Sequence, residues 1–352
     1  MGTIYEIYGF DAHQMTYALM EAAQAAKLIP IDGRIALKPN LVLAALPERG
    51  ATTHAGVLSG AIEYLRDHGV KHIEIIESSW VGGRTEEAQQ AAGYDAVCKK
   101  YGVPFYDLKL DHAASVDTPF GPIAICDRAR AADVLINLPV LKGHCQTGMT
   151  CALKNCKGCI PDREKRRFHA AGLMKPIAAL AWALRPRLTI VDSICGDLDF
   201  EEGGNPVPTG RMYLGTDMVQ LDAYGCQLMG LRLEDVPYIQ WAQRWGVGSA
   251  QVEEGDIVRL NHPEQGADYP TPSGRVAKLT RGVQADQACS ACYAALVRAL
   301  NTAGGAGGVP IAIGQGWQGR SFDGLGIGHC CDGASRQVKG CPPAVQDIMD
   351  AL

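Results

Sequence analysis

The chain has 352 residues, 47% of them apolar, and a formal charge of −5. That is enough apolar material for a sizeable core, as two domains or one plus an appendage. The mildly acidic balance excludes a global field that draws nucleic acid or an anionic membrane. No apolar run reaches the roughly 20 residues that span a bilayer. The first residues (MGTIYEIYGFDAHQ) lack the basic and apolar regions of an export signal, so a cytoplasmic location is expected. Thirteen cysteines, clustered and without such a signal, favour metal ligation over disulfides.

In chain order, residues 12–28 have helical composition and period, and IALKPNLV (35–42) follows as a short buried strand. Pro39 ends that strand in an exposed loop. A helix over 54–68 has Thr52 and Thr53 for a cap and Gly69 for a stop. KHIEIIESS is a second strand, with Glu77 and Ser78 at its end, and a Gly-rich turn (Gly82, Gly83) leads to a helix near 85–101. VPFYDL, a hairpin-like piece (115–127) and DVLINLPVLKGH (133–144) continue the pattern; Val134 to Val140 is apolar apart from Asn137, as in a strand buried on both faces.

This alternation predicts an α/β fold with an open, mostly parallel sheet flanked by helices, whose ligands bind beyond the carboxyl ends of the strands. Four strand ends carry polar residues: Lys38 and Asn40, Glu77 and Ser78, Lys142 and His144, and Asp192 and Ser193 after LTIVDS. Ordinary loop polarity explains any one of these; their convergence points to a site.

Residues 142–175 concentrate the chemistry. They hold four cysteines, two histidines and eight Lys or Arg against two acidic residues. Lys142, His144 and Lys154 are candidate catalytic groups. Lys38, Asn40, Glu77, Ser78, Asn155, Arg167, His169 and Asp192 are candidates for binding an anionic small molecule, Lys as a point charge and Arg as a fork. Arg163 and Lys165 read as a solvated basic face. Cys145, Cys151, Cys156 and Cys159 have the density of a second cluster site, although the spacing is not a ferredoxin pattern; the alternative is buried thiols at the mouth of the sheet. Beyond Asp192, CGDLDFEEGGNPVPTG reads as a flexible acidic loop or, less commonly, a Mg²⁺ site. Neither Gly82-Gly83 nor TAGGAGG (302–308) fits a dinucleotide fingerprint.

A polar stretch near 261–273 reads as a linker, dividing an α/β core domain (1–265) from a small C-terminal α/β cysteine-rich domain (274–352). The latter has Cys289-x-x-Cys292, Cys330-Cys331 and Cys341-Pro-Pro before a closing helix. Cys289, Cys292, Cys331 and Cys341 are the expected ligands of a [4Fe–4S] cluster, with Cys331 preferred over Cys330 and Cys341 at a helix N-terminus. Zinc on four thiolates and unliganded core cysteines are the rival readings.

Gly340-Cys341-Pro342-Pro343 and its helix resemble the cluster-binding end of the small iron–sulfur subunits of complex I and [NiFe] hydrogenases. More broadly, LKPNLV (37–42), the IESS segment ending at Ser79, DVLINLPVLKGH, CALKNCKGCIPD (151–162), RRFH (166–169), IVDS (190–193) and GTDMVQLD (215–222) resemble domain-of-unknown-function family 362 over residues 30–230. That resemblance implies an α/β domain joined to iron–sulfur cysteines and leaves the reaction open. The expectation is an iron–sulfur redox protein passing electrons to an anionic substrate. The alternatives are a non-enzymatic electron carrier or cluster scaffold that docks an acidic protein, and a zinc-stabilised binding protein. No nucleic-acid or membrane partner is expected.

Overall fold

The computed structural model describes residues 2–203, 205–263 and 274–352. Most of the expected linker, residues 264–273, lies outside the described residues. The main sheet has eight strands: β1 (Ile4–Tyr8), β2 (Arg34–Pro39), β3 (His72–Glu77), β4 (Phe105–Asp107), β5 (Val134–Leu138), β6 (Leu188–Asp197), β7 (Pro206–Gly215) and β8 (Ile257–Arg259). Their spatial order is β8-β1-β7-β6-β5-β2-β3-β4. Every neighbouring pair is parallel except the two made by β7, which runs antiparallel to β1 and β6.

Period-two alternation explains why both faces are covered. Ala36, Ile76, Leu135 and Val191 face one core, shared with the helices Met174–Leu184, Met218–Leu228 and Pro237–Arg244. Ile35, Leu37, Ile75, Ile136 and Ile190 face the other, beneath the helices Ala12–Ala22, Ala55–Asp67 and Tyr94–Tyr101. Each face buries its own row of β-branched and aliphatic residues, which favours the open, two-sided sheet.

Several local expectations change. The helix near 85–101 is two helices, Thr85–Ala91 and Tyr94–Tyr101, separated by Gly93 in a left-handed conformation. Thr53 does not cap the helix that follows it. Its hydroxyl donates to the Leu138 carbonyl at 2.7 Å and accepts the Asn40 N–H at 2.9 Å, fastening the ends of β2 and β5. The acidic segment after Asp192 is not a free loop: β6 runs on to Asp197, whose carboxylate accepts the N–H groups of Asp199, Phe200 and Asn205 at 2.8–2.9 Å. The turn is therefore pinned from inside, and Glu201 and Glu202 are buried.

A second, all-parallel sheet follows in sequence order: β9 (Val283–Ala285), β10 (Ile311–Ile313), β11 (Phe322–Ile327) and β12 (Ala334–Val338). The helices Ser290–Ala303 and Val345–Ala351 close its own small core around Leu296, Leu300, Ile313, Ile327 and Ile348. The last helix starts at Val345 with Ala344 as its cap, so Cys341 lies outside it. Cys289, instead, occupies the N-cap of the 14-residue helix Ser290–Ala303.

The short hairpin Lys142–His144 and Gly148–Thr150 rests on the acidic segment through Gly143, where an added Cβ would run into the Leu198 carbonyl. Gly143→Ala should therefore lower stability in urea denaturation by about 1–3 kcal/mol. It should also open residues 197–203 to limited proteolysis; unchanged cleavage would show that this contact does not hold the segment.

Candidate functional site

The strand order reverses between β2 and β5, because the chain runs outward through β2, β3 and β4 and then returns to β2's other side. At such a point the connections leave in opposite directions and a crevice opens beyond the strand ends. The crevice here holds a cavity of about 80 Å³ whose wall includes Lys38, Asn40, Glu77, Lys154, Asn155 and His169.

Asn155 is the node of that wall. Its Oδ1 accepts from Asn40 Nδ2 at 2.8 Å and Lys38 Nζ at 3.2 Å, and its Nδ2 donates to Asn137 Oδ1 at 2.8 Å. Lys38 is fully buried and meets Glu77 Oε2 at 2.5 Å. Lys154 donates to Glu201 Oε1 at 2.9 Å and Thr150 Oγ1 at 3.0 Å. Lys165 is buried rather than solvated, donating to the carbonyl and hydroxyl of Ser78 and the Ser79 carbonyl. Burial pulls its pKa down to about 8 against the opposing effect of Asp162.

The opposite wall comes from the second sheet's first helix, through Cys289, Ser290 and Ala291. Ser290 Oγ lies 3.3 Å from His144 Nε2, 3.4 Å from His169 Nε2 and 3.1 Å from Gln146 Oε1. His144 Nδ1 accepts the Gln146 N–H at 3.0 Å, which places the ring proton on Nε2. That nitrogen is 2.8 Å from Glu201 Oε2, an ion-pair distance. The alignment is not that of a hydrogen bond, and the oxygen has no hydrogen-bond donor. Burial lowers the His144 pKa to about 4, while His144, then Lys154 and Lys142, keep Glu201 ionised against its own burial. Lys157 Nζ is 3.4 Å from His169 Nε2, and burial, then Lys154, lowers its pKa to about 7.

Of the residues expected from sequence, Lys38, Asn40, Glu77, Ser78, Lys154, Asn155 and His169 line one cavity. Lys142 and His144 sit a layer behind it. Lys142 spends its three N–H groups on Asn40 Oδ1, the Ala51 carbonyl and the Glu201 carbonyl. Asp192 is elsewhere, accepting from the backbone N–H and Nδ1 of His54 at 2.8 Å. Arg167 pairs with Glu164 on its own helix and donates to the Pro122 carbonyl. Glu201, Lys157, Lys165 and Ser290 are the wall residues that sequence reasoning missed. A serine inside a Cys-x-x-Cys was the one available signal, since the others depend on where distant segments fold back.

All thirteen cysteines are free thiols, and among the described residues no three His, Cys, Asp or Glu side chains form a ready ligand group. The central four point apart: Cys151 meets Tyr213 Oη at 3.5 Å, Cys156 the Ala152 carbonyl at 3.8 Å, and Cys145 lies toward Glu201 and Glu202. Only Cys156 and Cys159 are electrostatic neighbours. Burial raises all four thiols, as it does for core cysteines.

The C-terminal thiols behave differently. Burial raises Cys289 to about 11 and Cys292 to about 12, and each also feels Cys330 and Cys341. Cys331, preferred on sequence, turns into a small core beside Ala312 and Trp317 and donates to the Ala312 carbonyl at 3.4 Å. Gln315 Nε2 approaches Cys289 Sγ at 3.6 Å, a donor suited to a thiolate. The Gly-rich turn serves as the seat of this loop: Gly82 has φ +87, and an added Cβ would lie 2.7 Å from Pro342 Cδ and 2.9 Å from the Cys341 carbonyl oxygen.

Burial, partly opposed by Glu201, lowers the Lys142 pKa from 10.5 to about 7, while its three acceptors favour the charged form. Below pH 7 the native and unfolded chains both hold this proton. Above it the unfolded chain alone does, so stability rises with pH in that window. Lys142→Met should remove about 1 kcal/mol per pH unit of that rise between about pH 7 and 8.5. Urea denaturation of both proteins across the window reads the difference, and parallel curves would refute it.

A curated relative, a thylakoid-associated protein of Synechocystis, is 26% identical over 243 residues, covering 66% of this chain and 73% of its own. Among solved structures, the lactate racemase apoprotein from Thermoanaerobacterium thermosaccharolyticum aligns with a TM-score of 0.44 and 14% identity. That alignment covers 64% of this chain and only 56% of the racemase. Residues 35–227 match the domain of unknown function DUF362. The matched span runs from β2 to the helix after β7 and supplies every cavity residue outside the second sheet's unit. On that match, the chain belongs to the DUF362 family.

Proposed function

We propose that the chain is an iron–sulfur redox protein that delivers electrons to an anionic small molecule held in the switch-point cavity. The observation that carries this reading is one of adjacency. Cys289, whose thiol feels Cys330 and Cys341, and Ser290 are successive residues, and both line the cavity. Cys289, Cys292, Cys330 and Cys341 would hold a [4Fe–4S] cluster, with Cys330 replacing Cys331 because the latter's thiol is engaged in the core. Such a group supplies electrons one at a time when bound.

The chain's own residues do the rest. Lys154 presents positive charge to the cavity, and the paired Glu201 fixes it in place; Lys157, lowered to about 7 by burial, is divided between ammonium and amine there. A polar file runs His144–Ser290–His169–Lys157 with steps of 3.3, 3.4 and 3.4 Å. Ser290 Oγ stands between the two imidazoles at the cavity wall, one residue from Cys289. Free thiols throughout favour a reducing compartment, the cytoplasm.

A second reading, a non-enzymatic carrier docking an acidic protein, draws on the exposed Cys341 and on Arg166, which neighbours both Cys289 and Cys330. Zinc on the same four thiols is the third.

Anaerobically purified protein should be brown, bleach with dithionite, and contain about four iron and four sulfide per chain. Cys330→Ser should lose the colour and Cys331→Ser keep it. Colourless protein with one zinc would reject the redox reading, and reversed variant phenotypes would reject the ligand assignment. A coloured protein whose Lys154→Ala variant loses only a protein partner would favour the carrier.

A further inference from the structure

We propose that Lys109 is a positioning residue for the thiol site: it stiffens the turn 79–83, the seat on which Cys341 is carried to Cys289, Cys292 and Cys330. This rests on the reading of those four thiols as one metal site and adds how the first domain completes it.

The turn is tied down more heavily than a surface connection needs. Its Trp80 N–H donates to the Val42 carbonyl at 3.0 Å and its Gly83 N–H to the Trp80 carbonyl at 3.1 Å. The Ser79 N–H donates to Thr85 Oγ1 at 3.2 Å. Two lysines then bind its carbonyls. Lys165 donates to that of Ser79 at 2.6 Å, and Lys109 to those of Trp80 at 2.8 Å and Gly83 at 2.5 Å. Loop carbonyls ordinarily face water; a charged donor binds them more strongly and fixes their direction. Lys109 is itself set by the end of β4, its N–H donating to Asp107 Oδ1 at 2.9 Å, and Asp162 Oδ2 lies 3.5 Å from its ammonium. One ammonium therefore bridges both ends of the bend.

What the turn carries explains the rigidity. Trp80 and Val81 line the cavity, and Gly82 meets the Cys341 carbonyl and Pro342. Cys341 has little else to place it. Its own unit fastens the loop at Gly340, whose carbonyl accepts the His329 N–H at 3.0 Å, and the closing helix begins only at Val345. Pro342 and Pro343 have no N–H to add. Cys341 is also the exposed cysteine, while Cys289, Cys292 and Cys330 each feel its charge. Packing on Gly82 thus sets the distance from this thiol to the others, and Lys109 sets Gly82.

The test compares full-length wild type, Lys109→Met, Lys109→Arg and Gly82→Asn after anaerobic purification, with thermal melts to confirm folding. Asparagine accepts the positive φ at residue 82, so its effect comes from the Cβ that meets the Cys341 loop. Lys109→Met and Gly82→Asn should hold about three iron per chain instead of about four, with the electron paramagnetic resonance signal of a three-iron cluster. Lys109→Arg, which keeps a donor for both carbonyls, should match wild type. If the wild type holds zinc, cobalt put in its place reads the same ligand: thiolate-to-cobalt absorption should weaken in Lys109→Met and persist in Lys109→Arg. A four-iron wild type whose well-folded Lys109→Met and Gly82→Asn variants keep all four would reject this inference alone. A zinc protein with the expected cobalt pattern would reject the redox reading alone, and a chain that takes up neither metal would overturn both.

Discussion

Dehydrated charge at the ends of β2 and β3 is the constraint to which the surrounding structure answers. Lys38 and Glu77 are both buried and 2.5 Å apart. Removing two charges from water costs more than their attraction returns unless every remaining donor and acceptor is also met. Here it is met: Lys38 also donates to the Pro39 carbonyl and Asn155, and Glu77 Oε1 accepts the Ser78 N–H at 2.7 Å. Room for the carboxylate exists only because residue 158 is glycine; a Cβ there would collide with Glu77. The segment carrying Asn155 and Gly158 is thus fixed against β2 and β3 by polar rather than apolar contacts.

A second buried pair repeats the arrangement one layer over. Lys154 and Glu201 join the segment 152–155 to the turn between β6 and β7, and Lys142 ties the carbonyl of Glu201 to Asn40. Burial opposes charge at Lys142, and a core of aliphatic side chains would serve stability better. Retaining several ionisable groups in one dry crevice is the pattern of sites whose task is chemical, where pKa values are displaced for use.

The sheet was readable because its evidence is local. Apolar runs, Pro39 and Gly69 mark strands and helix ends without reference to anything distant. So were the strand-end residues Lys38, Asn40, Glu77 and Ser78, since a strand's last residues lie at its carboxyl end whatever its neighbours. The order of the strands was not local, and it decides that β5 lies beside β2, which brings Asn137 and Asn155 to Lys38. Asp192 shows the limit from the other side: it lies within β6, in the interior of the sheet, and His54 claims its carboxylate. Glu201 looked like loop acidity because nothing in EEGG reveals that Asp197 pins the turn inward. Cys330 and Cys331 are neighbours of identical chemistry, and only the direction of each side chain relative to the Ala312 carbonyl separates them.

The placement of β1 has a consequence for how the chain is made. Its sheet partners are β7 and β8, so Tyr5 pairs with Leu214 and Val258, more than two hundred residues later. During synthesis β1 has no sheet neighbour until the second half of the domain has followed. Closing so long a loop is entropically slow to begin, and an unpaired strand bearing Ile4, Tyr5 and Ile7 is a template for the wrong partner in the meantime. The helix Ala12–Ala22, which contacts both β1 and its sister helix Ala55–Asp67, gives the nascent segment an early resting place. β1 can therefore join the sheet only once β7 has been made.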